Sequence, residues 1–266
     1  MKFSYDHDLH IHTMLSSCSA DPEQTPERIL DFAEEKGLKT VCVTDHFWDE
    51  AVPGASDWYV PQNFPHINES NPLPQSEKVK FLFGCEAEMD KEFNIGVSKE
   101  KYELFDFIIV STTHLHRVGF TVDEKDLETP AHRARIWVKR LEAVLAMELP
   151  FHKVGIAHLT CKLIAPTREE YLKTLELLSD EEMSRLFKKA AKLGVGIELN
   201  SGALNFRDEE ADTVLRPYRI ARNCGCKFYC GSDAHHPNEL YRAGVILERA
   251  IDMLDLDEKN IMDILL

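Results

Sequence analysis

Several of the twelve histidines in this chain stand in short motifs that also carry carboxylates. His10 and His12 form an H-x-H pair, Asp45 precedes His46, Glu86 follows Gly84 and Cys85, and Asp233 stands two residues before His235. His114 follows a pair of threonines, and His158 follows Ala157. Imidazole nitrogen and carboxylate oxygen together suit zinc, manganese or iron(II). A carboxylate such as Glu86 can bridge two such ions and hold them roughly 3.5 to 4 Å apart. Ions held this way acidify a water, clamp a phosphoryl oxygen and stabilise charge on a leaving oxygen, with no need for a covalent intermediate. An isolated histidine carries no such meaning, so everything depends on whether these residues meet.

The elements that would bring them together are legible. The chain alternates short β-rich runs with amphipathic stretches, the pattern of a parallel sheet built from β/α units. Seven runs can be counted, at 8–12, 40–45, 81–87, 105–112, 154–158, 195–200 and 227–232. The motif residues sit at or just past the ends of these runs, and Glu198 and Asn200 end the sixth. In a β/α barrel every strand delivers its C-terminal end to one face, where residues remote in sequence converge. Alternate residues of a strand point the same way, so His10 and His12 can grip one ion.

Between the runs, Thr25-Pro26-Glu27 starts a helix that Gly37 stops. Ser179 and Glu182 form a capping-box pattern for another, closed by Gly194. Residues 130–147 carry Ile136, Leu141, Val144 and Leu145 at helical spacing, which assigns Trp137 to packing. Residues 47–77 break the pattern, as a lid, a binding loop or a surface excursion would. Trp48, Trp58, Tyr59, Phe64 and His66 are its candidate pocket walls. With no repeat, low-complexity tract or linker, residues 1–266 read as one domain.

A formal net charge of -15 repels a nucleic-acid polymer over most of the surface and favours a small substrate. Bound metal ions would reverse the field locally. Seven cysteines without a secretion signal argue against a disulfide framework. Cys224, Cys226 and Cys230 lack a second ligand pair and read as structural thiols. No run approaches the roughly 18 to 20 apolar residues that cross a bilayer, and Asp6 and Asp8 interrupt any signal-peptide pattern. The expectation is a cytoplasmic protein with no membrane partner, its oligomeric state open.

In order and in combination, Asp8-Leu9-His10-Ile11-His12-Thr13, Thr44-Asp45-His46, Gly84-Cys85-Glu86, Thr112-Thr113-His114, Ala157-His158 and Gly231-Ser232-Asp233-Ala234-His235 resemble the PHP family, named for polymerase and histidinol phosphatase. The resemblance spans nearly the whole chain. It implies an α/β fold, a distorted seven-stranded (β/α)7 barrel of the TIM-like kind, with two or three divalent metal ions (Zn, Mn or Fe). It implies His10, His12, Glu86 and Asp233 around a first metal. Glu86 would bridge to a second held by His114 and His158, and a third would rest on His46 and His235. Many members carry a further histidine after the H-x-H pair; Cys18 stands there in this chain, leaving Cys18 or Asp21 as replacement ligand, or a weaker or empty third site.

Asp8 and Asp45 are expected to orient imidazoles, and Glu88 to be a solvated carboxylate. His116, Arg117 and Lys162 are candidate contacts to a substrate phosphate, and Glu86, His235, His116 and Arg117 form the candidate catalytic set. His7, His66, His132, His152 and His236 are read as structural or exposed. The implied activity is hydrolysis of a small-molecule phosphate monoester, histidinol phosphate among the candidates, by a metal-activated water. A metal-dependent amidase or lactonase on the same barrel, or a non-catalytic metal-binding regulatory domain, are the alternatives.

Overall fold

A computed structural model describes residues 3–19 and 21–266. Its strands are β1 (His7–Ile11), β2 (Thr40–Val43), β3 (His46–Phe47), β4 (Lys80–Glu88), β5 (Phe107–Ser111), β6 (Val154–Ile156), β7 (Gly196–Asn200) and β8 (Lys227–Gly231). They pair in parallel in the order β1-β2-β4-β5-β6-β7-β8. The two-residue β3 resumes the line of β2 after Thr44 and Asp45 and pairs with the end of β4. The seven predicted runs thus correspond to the strands of a seven-stranded barrel. Its ends meet: the Asp233 N–H donates to the His10 carbonyl at 2.7 Å and the His12 N–H to the Ala234 carbonyl at 3.0 Å.

Strand periodicity decides what each face sees. On β4, Phe81, Phe83, Cys85 and Ala87 pack outward, whereas Leu82 joins an interior cluster and Glu86 and Glu88 follow on the same face. That cluster also holds Leu9, Cys42, Phe107, Ile109, Ala157, Tyr229 and Met262. The Tyr229 ring lies so close to β6 that a Cβ at Gly155 would sit 2.4 Å from its hydroxyl oxygen, so only glycine fits there. On β1 the register shifts between Asp8 and Ile11. Leu9 therefore packs in the interior while His10 and His12 reach the rim.

The outer layer is α1 (Pro26–Lys36), α2 (Phe64–Ile67), α3 (Pro130–Val144), α4 (Arg168–Glu176), α5 (Asp180–Leu193), α6 (Ala211–Asn223) and α7 (Pro237–Leu254). The Thr25 hydroxyl caps α1, and Gly37 ends it at φ 70. Ser179 accepts from the Glu182 N–H at 3.4 Å, but only this half of the anticipated capping box forms. Trp137 is buried, its indole N–H donating to the Leu159 carbonyl, in keeping with a packing role. After α7 the chain runs under the barrel, where the Met262 N–H donates to the Phe228 carbonyl and its side chain enters the interior cluster.

All seven cysteines are free, and Cys226 and Cys230 are buried. Among the described residues no helix is long and apolar enough to cross a membrane.

Candidate metal centre

The strand ends bring His10, His12, Glu86 and Asp233 together at the rim. The Nε2 atoms of His10 and His12 are 3.1 Å apart. They lie 3.7 and 3.5 Å from Glu86 Oε2, and 3.4 and 3.2 Å from Asp233 Oδ1. A tetrahedron with bonds of about 2.0 to 2.2 Å has edges of roughly 3.3 to 3.6 Å, so this spacing suits one ion. The other Glu86 oxygen, Oε1, is 3.2 Å from His158 Nε2. Glu86 thus turns one oxygen to each of two neighbouring groups, as a bridging carboxylate must. His114 stacks on His158 at 4.6 Å between ring centroids, and donor atoms of His114, His158 and Cys161 lie within 4.8 Å of one another. His12, His46 and His235 form a third such group, with His235 stacked on His12 at 4.0 Å.

Hydrogen bonds fix how five of these rings are turned. Carboxylates and carbonyls only accept, so the ring nitrogen facing one must carry the proton. His10 Nδ1 donates to Glu198 at 2.7 Å, His114 Nδ1 to Glu88 at 2.8 Å, and His235 Nδ1 to the Asp233 carbonyl at 2.9 Å. The Ser16 hydroxyl gives its proton to Asp45 at 2.6 Å and so accepts from His12 Nδ1 at 2.8 Å. The Thr113 hydroxyl donates to the His158 carbonyl and accepts from His158 Nδ1 at 2.8 Å. Five Nε2 atoms are left for the site.

What those nitrogens face is other acceptors, so the site demands positive charge. Burial works to raise the Glu86 carboxyl, yet His46, His10 and His158 hold it well below the usual carboxylate range. Burial opposes charge on His46 as well, but Glu86 raises it to about 10. Protons cannot serve every ring, however: burial and then its neighbours His235 and His46 drive His12 well below the ordinary imidazole value. His46 Nδ1 and Glu86 Oε2, 2.8 Å apart, are both buried yet too poorly aligned to form a hydrogen bond. Buried polar atoms without partners call for one. A set of divalent cations fits this donor set, and its binding would release the protons held there.

Local backbone strain accompanies the geometry. His158 and Asp233 adopt φ of 29 and 56, a region costly for residues with a Cβ. Glu198 ties three strands together, since its second oxygen accepts the His158 N–H at 2.6 Å. A Cβ at Gly231 would lie 2.0 Å from the oxygen that serves His10.

Some expectations need correction. Glu88 is fully buried, accepting from His114 and from the Tyr59 hydroxyl at 3.3 Å, with Arg140 3.6 Å away. The alternation that sends Glu86 inward sends Glu88 with it, so its solvated reading ignored an available signal. Asp8 touches no imidazole; it accepts from the Ser232 and His10 N–H groups and the Tyr5 hydroxyl, joining β1 to β8. Asp45 serves His12 only through Ser16. Asp21 is engaged outside the cluster, 2.7 Å from His236.

Glu198 ends its run in phase with Asn200, a visible cue. Ser16 gave no cue at all, and Thr113, although it stands in the motif ahead of His114, gave none to its hold on His158. Cys161 was also missed; it joins His114 and His158, and burial pushes its thiol up to about 12.

A cavity of about 200 Å³ opens over the cluster, lined by His46, His114, Asp233 and His235 below and by Cys18, Trp58, Tyr59, His116, Arg117 and Leu163 around it. The central carbon of the Arg117 guanidinium lies over the Trp58 ring, 3.9 Å from its centroid. Burial, then His114 and Arg117, press His116 down to about 4, so it is neutral near pH 7. Cys18 stands at the mouth beside His235 and His46; burial works to raise its thiol, but those imidazoles bring it to about 6. Lys162 is not part of this cavity and lines an adjoining one. Of the candidate walls from 47–77, only Trp58 and Tyr59 serve. Trp48 is buried against Tyr59 and Phe120, Phe64 packs on Phe83 and Phe105, and His66 bonds the Leu15 carbonyl, because the segment folds onto the body around α2.

Comparison with known proteins agrees with this arrangement. The PHP domain family matches residues 8–202. A Caldicellulosiruptor bescii protein described as "Probable phosphatase" is 25% identical over 241 residues, covering 90% of this chain and 83% of the relative. A Thermoanaerobacter sp. (strain X514) protein of the same description is 28% identical over 229 residues, 79% of this chain and 84% of that one. In fold, the chain is similar to histidinol phosphate phosphatase from Lactococcus lactis, crystallised with zinc, L-histidinol and phosphate. The TM-score is 0.59 at 18% identity, covering 92% of this chain and 93% of the other. With the family's motifs on six strands of one barrel and its domain matched over most of the length, the chain belongs to the PHP family.

Proposed function

We propose that this protein is a metal-dependent phosphomonoesterase that acts on a small-molecule ester. The observation that carries this reading is the convergence of inward Nε2 atoms on Glu86 and Asp233, their Nδ1 atoms tied down behind them. The relatives described as probable phosphatases, and the neighbour crystallised with zinc and phosphate, support it. His10, His12, Glu86 and Asp233 would hold one ion, Glu86, His114 and His158 a second, and His46 with His235 a third, Cys18 standing beside them. When bound, such ions supply Lewis acidity towards a phosphoryl oxygen and draw the pKa of a water towards neutrality.

The chain's own residues do the rest. Arg117, held over Trp58 and without a carboxylate partner among the described residues, offers its N–H donors to the non-bridging phosphate oxygens. His116, neutral near pH 7, can hand a hydrogen bond to the ester. His235 turns its free nitrogen into the cavity beside the cluster. Glu198, Glu88, Ser16 and Thr113 hold the imidazoles in one orientation, which keeps the donors fixed while charge develops. Histidinol phosphate is one candidate ester, suggested by the Lactococcus neighbour. Yet among the described residues Asp233 is the one acid lining the cavity, and it belongs to the cluster.

A phosphate-release screen over amino-alcohol phosphates, nucleotides and sugar phosphates, run with manganese, zinc and iron, tests this reading. At least one ester should be turned over in a metal-dependent way. Metal-loaded protein that cleaves amides or lactones but no phosphate ester would overturn it in favour of the amidase or lactonase alternative. Inertness towards all of them would favour a regulatory domain.

A further inference from the structure

Beside the cavity over the metal cluster lies a larger one of about 490 Å³ that shares His116 and Leu163 with it. Its other walls are largely apolar, among them Leu115, Leu127 and Ile164, yet it also holds Arg133 and Lys162. Two cations in an apolar recess need a reason.

Arg133 is only 6% exposed, and among the described residues its guanidinium donates no hydrogen bond; Nε and Nη1 are sealed from solvent without a partner. Glu170 Oε1 lies 3.7 Å from Nη1, too far for a hydrogen bond. Arg140, two turns along the same face of α3, shows how this fold treats a buried guanidinium that is meant to be self-sufficient. It donates to the carbonyls of Thr112, Thr121, Met89, Asp90 and Ser111 at 2.6 to 3.5 Å. A buried arginine left idle is strongly unfavourable unless something accepts from it. Lys162 is exposed on the same cavity and, among the described residues, has neither a hydrogen bond nor an ion pair. Against the single charge of Glu170 these two residues leave the recess positive, in a chain of net charge -15.

We propose that this second cavity receives a second anionic group of the substrate, a carboxylate or a phosphate. That group is borne on an apolar scaffold whose ester phosphate lies over the metal cluster. The inference rests on the phosphomonoesterase reading for the position of that ester. Nη2, the one nitrogen of the Arg133 guanidinium that is not sealed, can donate to either anion, Lys162 adds a mobile charge, and the apolar walls take the scaffold between. The substrate is then an ester with an acid at its far end, not an amine.

Four esters test the assignment with the metal-supplemented enzyme: phenyl phosphate and its 4-carboxymethyl, 4-phosphonomethyl and 4-aminomethyl derivatives. Calorimetry with the corresponding non-hydrolysable phosphonates reads binding without turnover. An anionic arm should raise kcat/KM and affinity at least about ten-fold over phenyl phosphate, the size of one good charged contact. The carboxylate and phosphonate arms report which anion is preferred, and the ammonium arm should gain nothing.

Arg133→Met and Lys162→Met should each pull the arm's advantage towards one, whereas Lys189→Met, on the exposed side of α5, should leave it intact. Lys162 is exposed, so its variant folds even if the Arg133 variant does not. Equal binding of armed and unarmed compounds, or an advantage that survives both substitutions, overturns the proposal. A preference for anionic arms in calorimetry with no ester hydrolysed keeps the recess and removes the phosphatase reading. Hydrolysis of phenyl phosphate with no such preference does the reverse.

Discussion

Leu82 and Glu86 stand two pleat repeats apart on the same face of β4, with Gly84 between them, and they belong to two different kinds of structure. Around Leu82, near the floor of the barrel, Phe107, Tyr229 and Met262 pack tightly, with glycine at 155 and 196 making room. Around Glu86, at the rim, imidazoles and carboxylates crowd together, with buried atoms that lack partners and two residues at strained φ. Removing apolar area from water stabilises the floor by about 25 cal/mol per Å², whereas burying polar groups that are imperfectly paired costs energy. The floor and the helical layer hold the barrel; the rim spends some of that stability on a cluster whose donors would suit a set of cations. The floor has one blemish, the buried Tyr229 hydroxyl, which also lacks a partner.

This contrast can be broken at either end. Glu86→Ala should have the largest effect. Metal content should fall and any phosphatase activity drop by more than about 100-fold, beyond what loss of a supporting residue usually costs. Its melting temperature should stay close to that of the parent. Retained metal with retained activity would show that the rim is not the site.

Met262→Ala should do the opposite. Denaturant titration should reveal about 2 to 5 kcal/mol less stability, with kcat of the folded fraction unchanged. A fall in kcat at full folding would mean that the floor is coupled to the chemistry.

Glu198→Gln sharpens the boundary, since Glu198 lies between the two regions. It keeps the volume but weakens the grip on His10 and His158, and metal affinity or activity should fall about 10- to 100-fold. An effect confined to melting temperature would make Glu198 a purely structural residue.

The smallest effect concerns the rim's outer loops. The hydrogen bond from Arg168 holds the Glu210 carboxyl down at about 2, against burial that works to raise it. A carboxyl depressed on folding stabilises above its unfolded value, near 4.5. That contribution fades as pH falls from there towards 2. Arg168→Met should therefore lower the melting temperature by a few degrees at pH 6 and by less at pH 3. An equal loss at both pH values would assign the effect to packing of the arginine stem.

The barrel was legible because each strand is a short β-rich run followed by helix signals, and because every motif histidine or acid sits at a run's end. His10, His12, Glu86, His158 and Asp233 could be grouped from that rule alone. Residues that act through a local turn could not. Ser16 and Thr113 are ordinary hydroxyls in sequence, and only coordinates show them gripping His12 and His158. Glu88 and Glu198 were readable from strand alternation, but a carboxylate's default is solvent, and that default prevailed for Glu88. Arg133 is indistinguishable in sequence from the other helical cations. Its neighbours come from distant loops, so its isolation emerges only with the packing.

The Ser232 hydroxyl and the His10 carbonyl, 222 positions apart, are joined by a hydrogen bond across the seam between β1 and β8. On a ribosome this makes the first histidines wait for the last of the described strands. A nascent chain carries loose imidazoles with no assembled pocket, and any capture of metal by this cluster would be a late act, after long-range closure. Translation products that stop short of β8 would then lack the assembled cluster.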